Sequence, residues 1–180
     1  MDFQKILTVL TRKFEEKQIR FALIGGFALG LWGVGRSTID IDFLVEKKIE
    51  DINSIMTDMG YRIHYQTENV SQFISEIPLF GEVDFLHAFR PLSLQMLDRV
   101  EKKSVFGGKL KVPVLRPEDL IGLKLQALKN DPTREAVDLQ DIKALMGKDN
   151  SYALDKKLVF NYFKIFQLQD LFVQLEKENL

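Results

Sequence analysis

Apolar positions recur at helical spacing from the start of the chain. Phe3, Ile6, Leu7, Leu10 and Phe14 share one face, which predicts an amphipathic helix over 3–17 packed on a core. The short apolar run Arg20-Phe21-Ala22-Leu23-Ile24 then stops at Gly25-Gly26, the pattern of a buried strand. A short helix is predicted from Phe27 to Trp32, closed by Gly33-Val34-Gly35. In Ile39-Asp40-Ile41-Asp42-Phe43-Leu44-Val45 the period changes to two. That strand carries Asp40 and Asp42 on one face and Ile41 and Phe43 on the other.

Ile49, Ile52, Ile55, Met56 and Met59 return to helical spacing, with Gly60 as the stop. Three strand-like runs follow, Tyr61–Tyr65, Val70–Ile77 and Glu82–His87, and then a hairpin turning on Gly107-Gly108. Beyond Pro113 the pattern is helical. Pro117-Glu118-Asp119 opens a helix reaching about Asn130, Pro132-Thr133 opens a second to Met146-Gly147, and a tail from Ala153 to Glu178 breaks near Gln167. The order predicts an α+β or α/β core followed by a C-terminal helical bundle.

The chain has 180 residues and is 46% apolar, which suits one domain or a core with an extension. We place a core at 1–115 and a helical extension at 116–180, forming one compact unit. Lys+Arg 25 against Asp+Glu 26 leaves a net charge of −1, which excludes a histone-like coat of positive charge. The absence of cysteine excludes disulfide scaffolds, thiol nucleophiles and Cys-ligated zinc. Early, frequent charges argue against a signal peptide. The longest uncharged run, Phe21 to Gly35, is too short to span a membrane, so a cytoplasmic protein with no membrane contact is expected.

One segment carries chemistry. A strand delivers Gly25-Gly26 to a helix start, and after a thirteen-residue spacer a second strand presents Asp40 and Asp42 on one face. Glycines let backbone approach a polyphosphate, and free N–H groups at a helix start favour anions. Two carboxylates on one face repel each other unless a hard divalent cation, typically Mg²⁺, bridges them to substrate phosphates. Together these pieces read as a site for Mg·NTP. Gly107-Gly108-Lys109 lacks the flanking residues of a P-loop, and Gly33-Val34-Gly35 lacks the third glycine of a dinucleotide fingerprint. His64 and His87 have no acid or serine partner at an informative spacing and read as structural.

The segment resembles the nucleotidyltransferase superfamily that shares the fold of DNA polymerase β. Its signature, an apolar residue, two small residues, a spacer and acid–apolar–acid, matches Ile24-Gly25-Gly26 and Asp40-Ile41-Asp42. A third acid on a later strand is matched by Asp84 in Glu82-Val83-Asp84-Phe85-Leu86. The stretch Val114 to Leu125 resembles a narrower branch, the AbiEii and MenT type transferases, many of them toxins of toxin–antitoxin pairs. The spacer is long for the family, and Gly26 stands where serine is common, leaving Ser37 or Thr38 to supply a hydroxyl.

The resemblance implies an α+β fold with a mixed sheet, flanking helices and a C-terminal helical bundle. It also implies transfer of NMP from an NTP to an acceptor hydroxyl with Mg²⁺ or Mn²⁺. Asp40, Asp42 and Asp84 would be the catalytic acids and metal ligands, with Asp84 on the acceptor side. Gly25, Gly26, Arg36, Ser37 and Lys124 would bind the nucleotide. Lys124, on the Leu-rich helix, would face Asp40 and Asp42 in the empty site; the alternative is a lysine snorkelling to water. Asp138 and Asp141 match acids of the branch and otherwise read as a solvated helix face.

Three readings of the acceptor stay open. They are an RNA 3′ end such as tRNA, a protein or small-molecule hydroxyl, and no acceptor at all in an inert nucleotide-binding partner protein. The toxin-type reading adds an antitoxin as partner. Lys102, Lys103, Lys109, Lys111 and Arg116 form the one basic cluster visible in the sequence.

Overall fold

The computed structural model of the chain describes residues 2–77 and 79–178. Its contacts divide it into two units, 2–28 with 36–115 and 29–35 with 116–178. The first unit is built on a seven-stranded mixed sheet. Helix α1 (Phe3–Glu16) leads into β1 (Phe21–Ile24), and α2 (Gly25–Leu31) begins directly at the strand's end. Strand β2 (Asp40–Glu46), helix α3 (Ile49–Asp58) and strands β3 (Tyr61–Gln66), β4 (Val70–Ser75) and β5 (Glu82–Ala88) follow. Helix α4 (Pro91–Asp98) and the hairpin of β6 (Glu101–Val105) and β7 (Leu110–Val114) complete the unit. The spatial order is β3-β4-β5-β2-β1-β7-β6. The pairs β2–β5 and β1–β7 are parallel and the others antiparallel, which makes the sheet mixed as expected.

Alternation along β2 and β5 sorts the two faces of this sheet. Ile41, Phe43 and Val45, with Val83 and Phe85, are fully buried on one face. Phe43 stacks on Phe85 at 5.6 Å, and Phe14 of α1 meets both rings edge-on at 5.7 and 6.1 Å. Such aromatic contacts add to what burial of the rings alone contributes. The opposite face keeps Asp40, Asp42 and Asp84 partly open to solvent.

His87 shares the buried face. Its Nε2 lies 2.7 Å from the Ser71 hydroxyl, which also accepts from Gln66 at 2.8 Å, and Gln66 in turn exchanges hydrogen bonds with Asn53 of α3. The structural reading of this histidine therefore stands. Burial holds its pKa below the ordinary value, so the imidazole is neutral in this network.

The second unit is helical: α5 (Pro117–Asn130), a 3₁₀ turn (Pro132–Arg134), α6 (Glu135–Leu145), α7 (Lys156–Ile165) and α8 (Gln169–Glu178). The break between α7 and α8 falls at Gln167, whose φ is 58°. Helix α5 is buried over most of its first half, acids included. Tyr162 donates to Asp119 at 2.6 Å, and the backbone N–H of Asp155 donates to Glu118 at 2.8 Å. Trp32 meets Tyr152 edge-on at 5.2 Å. Among the described residues no helix is long and apolar enough to cross a membrane. Helix α4 is absent from the sequence reading.

Candidate active site

Register brings the predicted acids together. Parallel pairing sets Asp42 of β2 against Asp84 of β5 and Asp40 against Glu82, so four carboxylates occupy one face of two adjacent strands. On the far side of β5, Gln72 of β4 pairs with Asp84 and donates to its Oδ2 at 3.1 Å. On the near side of β2, Ile24 pairs with Asp42, and the next residue is Gly25.

The glycine pair is explained by this face. Gly25 has φ of 63°, and a Cβ there would collide with the Asp42 carboxylate. A Cβ on Gly26 would lie 2.8 Å from the Thr38 side chain. Thr38 in turn donates to Asp40 Oδ1 at 2.6 Å. Both glycines are thus needed for the acids and their neighbour to fit, apart from any approach of a phosphate. Thr38 orients Asp40, a part that the sequence reading reserved for a phosphate contact. Arg36 and Ser37 are exposed on the segment leading into β2.

Asp84 holds a proton more readily than a free carboxyl does. Burial pushes its carboxyl above the ordinary carboxylate range, and the charges of Asp40 and Glu82 push it further up. The Gln72 amide and the charge of His64 work in the opposite direction. Among the described residues no three acid or histidine side chains already form a metal cage. A preformed cage is not what Mg²⁺ requires, since it typically takes one or two carboxylates and completes its shell with water and substrate phosphates.

Lys124 has other partners. Its ammonium lies 2.8 Å from Asp138 and 2.7 Å from Asp141, where the sequence reading set it against Asp40 and Asp42. The lysine is 9% exposed, Asp138 is fully buried and Asp141 is 5% exposed, which removes both the snorkelling and the solvated-face readings. Arg134 adds a longer contact to Asp138 at 3.4 Å. One buried cation therefore ties α5 to two acids a helical turn apart on α6.

Gln72, Glu82 and His64 also belong to this surroundings and were missed in the sequence. The signal for the first two is register, and for His64 an irregularity in strand pairing.

The chain belongs to a family described as nucleotidyl transferases of unknown function (DUF2204), whose model matches residues 3–176. It is an enzyme of the nucleotidyltransferase class. Among solved structures, the antibiotic-resistance factor ANT(2″)-Ia is similar over 100% of both chains, with 14% identity and a TM-score of 0.66. The lincosamide antibiotic adenylyltransferase LnuA matches 79% of this chain and 95% of its own, with 19% identity and a TM-score of 0.56. An antigenic nucleotidyltransferase-like protein from Paracoccidioides brasiliensis matches 96% of this chain and 91% of its own, at 19% identity and a TM-score of 0.56. These likenesses establish the fold. No curated protein matches the chain. The AbiEii and MenT type branch is not confirmed by these comparisons.

Two substitutions separate the electrostatic arrangements. Lys124→Ala leaves two buried carboxylates without their cation and should lower the unfolding free energy by about 3–5 kcal/mol. Urea denaturation checks this, and a change of less than about 1 kcal/mol would contradict it. Asp84→Asn should act in the opposite direction. A carboxyl whose folded pKa is raised costs stability as pH rises from the ordinary carboxylate range past the folded value. The amide should therefore raise Tm at about pH 7.5. The gain should fade as pH falls toward about 4. Calorimetric scans across pH give the comparison.

Proposed function

We propose that this chain transfers a nucleoside monophosphate from a divalent-metal NTP complex to an acceptor hydroxyl on the Asp40, Asp42 and Asp84 face. The observation that carries the reading is the in-register placement of Asp42 beside Asp84, with Gly25 held bare under the Asp42 carboxylate. The donor set fits Mg²⁺ or Mn²⁺: all ligating atoms are carboxylate oxygens, and the charge crowded around Asp84 is of the kind a hard dication relieves. When bound, the metal would neutralise developing charge and polarise the reacting oxygens.

In this reading Gly25 and Gly26 line the triphosphate, and Arg36 and Ser37 reach it from the segment before β2. The acceptor oxygen forms its bond to the α-phosphorus while the bond to the bridging oxygen breaks, and pyrophosphate leaves with that electron pair. Asp84, on the acceptor side, takes the acceptor hydroxyl's proton as general base. Thr38 holds Asp40, and Gln72 holds Asp84. Lys124 is assigned first to the α5–α6 junction, because its charge is already met by Asp138 and Asp141.

An acceptor of low molecular mass is the second reading. Its support is the likeness to ANT(2″)-Ia, also solved with adenylyl-2″-tobramycin at a TM-score of 0.57, and to LnuA solved with lincomycin. An antitoxin partner finds no support in the fold or the comparisons.

Asp42→Asn tests the site. By calorimetry the wild-type chain should bind at least one NTP with Mg²⁺ and lose most of that affinity in EDTA. The variant should fold normally and bind the Mg·NTP at least about tenfold more weakly, a loss of about 1.4 kcal/mol. Equal affinities with and without metal, or in both proteins, would overturn the proposal.

A further inference from the structure

The acid face continues past β5 to the edge of the sheet, and its last strand is irregular. Arg62 pairs with Ile74, which pairs with Glu82, so Arg62 shares the face of the acids. The pairing of β3 with β4 then slips between Ile63 and Tyr65, leaving His64 as an extra residue. Such a bulge sets two residues opposite one and redirects the side chains that follow. Here His64 and Tyr65 both stand opposite Gln72.

The consequence is specific. Strict alternation would send Tyr65 to the buried face and Gln66 to the acid face. Instead, Gln66 joins Ser71 and Asn53 in the buried network, and Tyr65, 53% exposed, takes the face that carries the acids. Arg62 and His64 are exposed, and among the described residues the side chains of Arg62 and Tyr65 make no hydrogen bond or ion pair.

A single row therefore crosses the sheet, from the Gly25 turn through Ile24, Asp42, Asp84 and Gln72 to His64 and Tyr65. In-line displacement at phosphorus sets the attacking and leaving oxygens on opposite sides. With the triphosphate at the glycine end, the acceptor must arrive from the β3 end. Strand β3 lies two strand spacings from β5, about 10 Å. That is within reach of a terminal base whose ribose hydroxyl lies at Asp84.

We propose that Arg62, His64 and Tyr65 form the acceptor subsite, and that it takes the 3′-terminal nucleotides of single-stranded RNA. This rests on the transferase reading above. An open aromatic side chain offers a stacking platform to any base, and the neighbouring Arg62 guanidinium meets the phosphates. A cationic amino sugar would instead find Arg62 in its path. The lysines of the β6–β7 hairpin, the basic cluster visible in the sequence, lie at the other edge of the sheet.

The test is fluorescence anisotropy of a short 5′-labelled single-stranded RNA in low-salt buffer with Mg²⁺. It compares wild type, Tyr65→Ala, Arg62→Ala and Lys109→Ala, with calorimetry of Mg·NTP on each. Tyr65→Ala should weaken RNA binding about tenfold. Arg62→Ala should weaken it several-fold and flatten its salt dependence. Lys109→Ala should leave it unchanged, and all four proteins should bind Mg·NTP alike. Equal RNA affinity in the four proteins would overturn the subsite. So would wild type that ignores RNA but binds Mg·NTP, with or without tobramycin or lincomycin as acceptor. Failure of wild type to bind Mg·NTP would overturn the transferase reading itself, and the subsite with it.

Discussion

Crowding of like charge on one sheet face is the constraint from which the first unit's other features follow. Asp40, Asp42, Glu82 and Asp84 stand on adjacent parallel strands, in register, with an aromatic core directly behind them. The core fixes the register, since a shift by one residue would turn Phe43 and Phe85 outward and the acids inward. The acids therefore cannot move apart without cost to the whole sheet. Local contacts answer them: the Thr38 hydroxyl on Asp40, the Gln72 amide on Asp84 and the bare Gly25 under Asp42. Carboxylates gathered on one partly open face suit a ligand that brings positive charge, which is why metal-bound nucleotide is the reading proposed for it.

The second unit resolves its buried charge differently. Lys124 satisfies Asp138 and Asp141 within the chain, so this cluster needs no ligand to be stable. A buried pair of this kind adds little stability beyond what apolar residues of the same shape would give, yet losing one member is costly. It therefore acts as a lock on how α5 and α6 meet.

Much of this was legible in the sequence because it depends on local periodicity. The two-residue period of β2 separated Asp40 and Asp42 from Ile41 and Phe43, and Pro117 marked the start of α5. Helix α4 was missed because its eight residues bury only Met96 and Leu97, too few to show a period. Glu82 and Gln72 were hidden because only pairing between distant strands puts them beside the acids. His64 read as structural because a bulge cannot be seen without the partner strand. Asp138 and Asp141, three apart on a helix, look like a solvated face until α5 supplies the lysine. The glycine pair has a steric reason that the sequence could not show, since Asp42 and Thr38 leave no room for a Cβ at either position.

The central claim is that Asp42 and Asp84 together hold the metal of a bound nucleotide. Anomalous diffraction from crystals grown with Mn²⁺ and a non-hydrolysable NTP analogue tests it most directly. The account predicts a manganese peak in contact with carboxylate oxygens of both Asp42 and Asp84 and with a phosphate oxygen of the analogue. Nucleotide bound with its manganese away from these two residues would contradict it.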